Sequence, residues 1–347
     1  MGGKRKASMR KSTPTKTAVL KKLYSSIGET VSGGILCREL GLSRQAVWKA
    51  VRSLVEDGFT IESVPVKGYR FLGSSGNDLD PTWLEILLSD CPWGHPVLFW
   101  QEIDSTQSPA KEMARQGAPE GVVVLADQQT SGRGRLGRHW ISPPGGGIYF
   151  SVIIRPDIPP EQIQTLSLAS AMAVQDAIQS ESGIRCQLKW PNDILWNNSK
   201  LCGILSEVSS EPGRIHFAVT GIGINANMRG QDMGLGKGAT SLASILGHDV
   251  DRGLIAASVI SRFHDGVRRL ESPEGRISLI SDYAARCDTI GKKVRVLVDE
   301  REIIGEACGI GDTGNLEVRS EGKILTFSAA DVTHLRNCGD HQEDSLE

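Results

Sequence analysis

The chain has 347 residues, 23% charged and 39% hydrophobic, with 39 Lys and Arg against 41 Asp and Glu, so it is long enough for two or three domains of ordinary globular composition. No apolar run approaches the ~18 residues of a membrane span, the basic N-terminus lacks the apolar stretch of a secretory signal, and Lys6 stands where N-myristoylation needs Ser or Thr. The seven cysteines are scattered, odd in number and without CxxC spacing, which fits reduced thiols in a cytoplasmic protein better than disulfides or a zinc site.

The net charge of -2 hides an asymmetry. Residues 1–72 carry 14 Lys and Arg against 5 Asp and Glu, a surplus of nine that leaves -11 for the remainder. A basic module fused to an acidic body points to a nucleic-acid contact confined to one end. Residues 1–14 read as a disordered basic tail. Three helical segments follow. The first carries Val19, Leu20, Leu23 and Ile27 at helical spacing, the second spans 35–40 and stops at Gly41, and the third starts at an N-cap, Ser43, with Val47, Val51, Leu54 and Val55 as its apolar stripe. A glycine-containing turn between two short helices is the helix-turn-helix pattern. It places Ser43, Arg44, Gln45, Trp48 and Lys49 at the start of a recognition helix, with Arg44 and Gln45 suited to base edges and Lys49 and Arg52 to phosphate. Residues 59–72 alternate like a hairpin wing. A small helical domain whose basic face has another use fits the same residues.

Residues 73–78 are a linker by composition. A helix burying Trp83, Leu84 and Leu87 opens the next domain, and Ser105-Thr106 reads as a helix N-cap after a strand at 97–100. A second strand, 122–126, leads into Gln129 and then Gly132, Arg133, Gly134, Arg135, Gly137, Arg138, His139 and Trp140. Glycines let a ligand approach the main chain, and arginines present fixed, charged forks to carboxylate or phosphate oxygens, so this loop reads as an anion clamp. Residues 161–180 form an Ala-rich helix. Lys189-Trp190-Pro191-Asn192-Asp193 gathers a cation, a rigid turn and a carboxylate at a strand end; alone it would be an ordinary turn. Lys200 opens an apolar strand, where a lone lysine is usually a snorkelling surface cation. Gly221-Ile222-Gly223-Ile224-Asn225 lacks the third glycine and the acid of a dinucleotide fold. Residues 228–238 are Gly-rich and read as a loop that orders over a nucleotide. Helices at 251–270 and 277–286 close the domain, and the short alternating strands over 293–327 read as a small all-β barrel.

The loop from Gln129 to Trp140 resembles the biotin-binding loop of biotin protein ligases. Lys189 to Asp193, Lys200-Leu201 with Gly203-Ile204, and Gly221 to Asn225 match further elements of that family, in its order and over nearly the whole chain. The pattern is similar to the bifunctional ligase that is also the biotin operon repressor. The resemblance implies a multidomain α+β fold: a winged helix-turn-helix over 15–73, an α/β catalytic domain of the biotin/lipoate-ligase type, related to class II aminoacyl-tRNA synthetases, over 80–286, and an SH3-like β-barrel over 287–338.

It also implies an activity. ATP, with Mg²⁺, activates biotin as biotinyl-5′-AMP, and the biotin passes to a lysine of a biotin carboxyl carrier protein; a homodimer formed on biotinyl-AMP binds operator DNA. Biotin contacts fall to Ser105, Thr106, Gln107 (where the family has Asn), Gln129, Gly132, Arg133, Gly134, Arg135 and Lys200. The nucleotide falls to Arg138, Trp140, Lys189, Asn192, Asn225 and Asn227. Arg135, Lys200, Lys189 and Asp193 form the catalytic set, with Asp193 holding Mg²⁺ or its waters. A ligase without operator binding, a lipoate-type ligase and a non-enzymatic DNA-binding sensor remain open.

Overall fold

Serine and glycine punctuate the first domain of the structure, a computed structural model that describes residues 9–74, 78–229, 238–298, 301–328 and 330–335. After β1 (Met9–Lys11) come α1 (Pro14–Tyr24), β2 (Thr30–Val31), α2 (Gly33–Leu40), α3 (Arg44–Glu56), β3 (Phe59–Val64) and β4 (Gly68–Ser74). Ser32 and Ser43 cap α2 and α3 by accepting the Ile35 and Ala46 backbone N–H groups at 3.1 Å, and Gly41, left-handed at φ 64°, ends α2. Val47, Ala50, Val51 and Leu54 of α3 bury against Val19, Leu20 and Leu23 of α1, and the β2-β4-β3 sheet closes this core with the β3–β4 hairpin as its wing. The apolar stripes are shorter than expected: Val55 and Ile27 are exposed.

The central domain contains α4 (Pro81–Leu87), β5 (Val97–Ile103), α5 (Gln107–Arg115), β6 (Val123–Gln129), β7 (Gly147–Ile154), α6 (Thr165–Ser182), β8 (Gln187–Lys189), β9 (Asp193–Trp196), β10 (Ser199–Glu211), β11 (Arg214–Asn225), α7 (Leu242–Leu246), α8 (Arg252–Leu270) and α9 (Pro273–Arg286). Its sheet runs β1-β5-β6-β7-β11-β10-β9-β8, antiparallel except for the β5–β6 pair. α6, α8 and α9 share one core with the sheet, whereas α5 packs with Leu98, Val124, Ile153 and Val219 in another. No described helix is long and apolar enough to cross a membrane, and the described cysteines are all free.

Two findings revise the expected organisation. Part of the supposed loose tail is a strand: β1 pairs antiparallel with β5, Met9 opposite Trp100 and Lys11 opposite Leu98. The open edge of β5 offers backbone donors and acceptors that a short extended segment satisfies whatever its side chains, so composition does not report the pairing. Residues 1–8 lie outside the described residues. α4, capped by Asp80 through the Thr82 N–H at 2.8 Å, belongs to two cores. Trp83 and Ile86 pack with the first domain, the Trp83 ring edge-on to Tyr24 at 4.9 Å, while Leu84 and Leu88 join the central core.

Among the described residues the C-terminal strands do not close into the expected barrel. β12 (Lys293–Val298), β13 (Arg301–Ile310), β14 (Leu316–Ser320), β15 (Lys323–Phe327) and β16 (Asp331–His334) form an open antiparallel sheet, β15-β14-β13-β12-β16, whose edge strands do not meet. Val294, Val296, Ala307, Leu316, Val318 and Val332 join the central domain's core instead of enclosing their own. With its apolar face buried there, the sheet has no need to close, and β15 leaves Ile324 and Leu325 exposed.

Candidate functional site

One cavity lies over β10 and β11 and beneath the Gly-Arg loop. Its floor is stripped of side chains at Gly203 and Gly223, paired across the two strands. The Trp140 indole lies on them: a Cβ at Gly203 would stand 2.9 Å from the ring and one at Gly223 2.5 Å from Nε1. The loop above is a small hairpin, with Arg133 bridged to His139 and the Trp140 N–H donated to the Gly132 carbonyl at 2.9 Å.

At one end the cavity is neutral and rich in hydrogen-bonding groups. Thr106 begins α5, but its hydroxyl makes no capping bond; it lies 2.8 Å from Ser151 Oγ, and its N–H donates to Gln129 Oε1 at 2.9 Å. Gln129 Nε2 donates in turn to Ser142 at 2.9 Å. Gln107, buried at the start of α5, donates Nε2 to the Leu205 carbonyl at 2.7 Å. These side chains and Ser105 line the wall together.

The other end is cationic. Lys200 Nζ sits 2.6 Å from Asp193 Oδ1 and 5.5 Å from the centre of the Trp140 ring. Arg135 Nη1 donates to Asn192 Oδ1 at 3.1 Å, and Asn192 Nδ2 is anchored on the Ile204 carbonyl at 2.7 Å. Burial pushes the Arg135 pKa below its usual value, with Arg138 acting in the same direction and Asp193 and Asp331 opposing; arginine nevertheless stays charged. Arg133 and Lys189 also face the cavity. Arg138 pairs with Asp331 of β16, so the C-terminal sheet contributes to the rim.

Three buried polar atoms that lack hydrogen-bond partners among the described residues belong to residues lining this cavity: Gln107 Oε1, Trp140 Nε1 and Asn225 Oδ1. Asp193 Oδ1 is satisfied by its ion pair with Lys200. Each such atom costs about 1–3 kcal/mol when buried unsatisfied, so their gathering in one place marks a site built for a polar ligand.

Not every expected contact residue is there. Gly132 does not line the cavity; a Cβ on it would stand 2.4 Å from the Trp140 carbonyl oxygen, so it serves the loop's own pairing. Asn227 also lies off the cavity, its amide exchanging hydrogen bonds with Val250 at 2.8 and 2.9 Å. Asn225 reaches it but spends Nδ2 on the Thr240 carbonyl at 2.9 Å. The two carboxylates on the wall, Asp193 and Asp331, are each paired with a cation, and the described residues hold no cluster of three metal-ligating side chains. That donor set does not fit a Mg²⁺ ion held by protein alone, and Asp193 serves as the counter-ion of Lys200. The expected nucleotide loop at 228–238 falls mostly outside the described residues.

On the first domain, Ser43 is spent as a cap, while Arg44, Gln45, Trp48, Lys49 and Arg52 are exposed on α3. Arg52 pairs with Glu56 at 3.0 Å and lies 5.6 Å over the Trp48 ring.

Residues 100–225 match the Biotin/lipoate A/B protein ligase family, residues 15–70 an HTH domain and residues 289–335 the Biotin protein ligase C terminal domain. The chain is 37% identical over 318 residues to the bifunctional ligase/repressor BirA of Bacillus spizizenii, covering 89% of this chain and 96% of that one. It is 35% identical to the biotin--[acetyl-CoA-carboxylase] ligase of Mycobacterium tuberculosis, over 68% of this chain and 90% of that one. The Aquifex aeolicus biotin protein ligase in complex with biotin and ATP superposes with a TM-score of 0.59 at 28% identity, over 70% of this chain and 99% of that one.

Proposed function

This chain belongs to the family of bifunctional biotin protein ligases and repressors, ATP-dependent enzymes that form biotinyl-5′-AMP and respond to biotin as repressors, and we propose how its residues divide that work. The observation that carries the proposal is a cavity that brings neutral hydrogen-bonding groups, Ser105, Thr106, Gln107 and Gln129, together with the cations Lys200 and Arg135, with Arg133 and Lys189 also on its lining. Biotin is neutral at its ring and anionic at its carboxylate, so it enters ring first and brings the carboxylate among the cations.

A carboxylate oxygen of biotin attacks the α-phosphorus of ATP; the bond to the bridging oxygen breaks and pyrophosphate leaves with the electron pair. A carrier lysine, as its free amine, then attacks the acyl carbon of the mixed anhydride and AMP leaves. Two anions must meet in the first step, so positioning and charge neutralisation supply the catalysis. Lys200, held by Asp193, neutralises the biotin carboxylate. Arg135, held by Asn192, with Arg133 and Lys189 receives the phosphate oxygens. Arg138 meets the nucleotide from the rim, Asn225 lies on the nucleotide side, and Trp140 shields the anhydride from water. Any Mg²⁺ would have to arrive with the triphosphate and add to the charge neutralisation there, since Asp193 and Asp331 are each already paired with a cation.

The partner is a biotin carboxyl carrier protein. Operator DNA meets α3, with Arg44 and Gln45 at base edges and Lys49 and Arg52 at phosphates. A homodimer formed on biotinyl-AMP has a candidate edge in the backbone of 206–211 on β10, which pairs only with β11 among the described residues and includes the exposed Val208. ATP–pyrophosphate exchange tests the substrate assignment: exchange should require biotin, and exchange driven equally by lipoate or octanoate would overturn it.

A further inference from the structure

Arg252 opens α8 with its side chain only 7% exposed. A cation at a helix N-terminus opposes the backbone dipole, which favours anions there, so helix stability does not account for it. Its Nε and Nη2 donate to the Asp78 carboxylate at 2.8–3.1 Å, and its backbone N–H donates to the same group at 2.8 Å. Nη1 donates to Asp127 Oδ1 at 2.9 Å and to the Gly147 carbonyl at 3.1 Å. Burial works against the charge, but Asp78 and Asp127 outweigh it and the pKa is raised.

The two arms lead to different places. Asp127 lies on β6 two residues before Gln129, and its carboxylate also accepts the Gly145 N–H at 3.1 Å and Gln101 Nε2 at 2.9 Å. The adjoining Gly146 carbonyl accepts the N–H groups of Ala226 and Asn227 at 3.2 and 2.8 Å, directly after the strand that floors the cavity. Asp78 lies in the linker between the wing and α4, the helix whose Trp83 sits in the first domain's core. The linker passes so close that a Cβ on Gly253 would stand 2.1 Å from the Asp78 carbonyl oxygen.

We propose that Arg252 is a positioning residue serving both halves of the molecule. Through Asp127 and Gly147 it holds the wall of the adenylation cavity; through Asp78 it fixes the linker carrying the DNA-binding domain. Movement of the wall on ligand binding therefore reaches that domain through one guanidinium. The proposal rests on the cavity being the biotinyl-AMP site.

The test uses the full chain as wild type, Asp78→Asn, Gly253→Ala and Arg252→Lys, with biotin and ATP-Mg²⁺ as the probe. Hydrogen–deuterium exchange over 78–87 is read with and without the probe, alongside KM and kcat for pyrophosphate release. In the wild type the probe should slow exchange in this segment by about threefold or more. Asp78→Asn and Gly253→Ala should lose that response while KM and kcat stay within about twofold, and Arg252→Lys should raise the biotin KM about tenfold with little change in kcat. A response that survives in both linker variants, an unresponsive wild type, or Arg252→Lys lowering kcat at unchanged KM would overturn the proposal. Failure of both linker variants to fold would show that the Asp78 arm is not separable from the core and would overturn it too. A wild type that makes no biotinyl-AMP would overturn the reading of the cavity itself, and this proposal with it.

Discussion

Gln107 makes the residue-scale argument most sharply, because its side chain is half satisfied. Nε2 is spent on the Leu205 carbonyl, and Oε1 is buried without a partner among the described residues. On the proposed reading, a ring N–H of biotin would be the donor it lacks. Replacing Gln107 with Leu should cost about 1–3 kcal/mol, or roughly 5- to 150-fold in the biotin KM, with kcat less affected; steady-state kinetics with an unchanged KM would remove Gln107 from the site. Arg135→Gly should cost about 2.7–4 kcal/mol of transition-state stabilisation, roughly 10²–10³ in rate, if its guanidinium meets developing charge. A wild-type rate would remove it from the chemistry. Most of the cavity's side chains were legible in the sequence because glycine, arginine and lysine are spelled in unusual local runs. Gly132 and Asn227 lie off the cavity lining for a physical reason: glycine and asparagine serve backbone packing and turns as readily as ligands. The Arg252–Asp127 contact was hidden because its partners lie 125 residues apart and neither stands in a motif.

Among the elements, α3 and β16 carry the clearest consequences. The exposed Arg44 and Gln45 face solvent from the first turn of α3, away from the cavity. Arg44→Ala and Gln45→Ala should each weaken operator binding by about 1–3 kcal/mol and leave adenylation unchanged, as separate gel-shift and pyrophosphate assays would show. On β16, His334 docks the C-terminal sheet by lying 3.1 Å from Thr289 Oγ1, which itself accepts the Trp190 N–H at 3.1 Å. Either atom can be the donor, so the bond is available to a neutral imidazole. Burial, with the cations of Lys189 and Lys292, lowers the His334 pKa from 6.5 to about 4. The unfolded chain therefore binds the proton first as pH falls below 6.5. The stability from neutral His334 is complete above that pH and is lost towards pH 4, by up to about 3 kcal/mol. The melting temperature of His334→Gln should fall less between pH 7 and pH 5 than that of the wild type; equal falls would contradict this. The strands themselves were legible from their alternation, but their closure was not. Periodicity records that one face of β12–β14 is apolar, not whether that face meets its own sheet or a neighbouring domain.

At the scale of the whole molecule, α4 makes the basic module and the acidic body one structure. The linker composition marked a boundary at 73–80, yet Trp83 and Leu84, adjacent in the chain, lie in different cores. A sequence shows that both residues are buried without showing against what. If ligand and assembly are coupled, sedimentation should show a larger species with biotinyl-AMP than without it, and identical profiles would separate the two activities. The most direct test of the account is single-turnover mixing of the purified chain with biotin and ATP-Mg²⁺, followed by native mass spectrometry and addition of a carrier domain. A retained 1:1 complex with biotinyl-5′-AMP that passes its biotin to a carrier lysine is the predicted result. A chain that holds biotin and ATP together but releases neither pyrophosphate nor adenylate would contradict it.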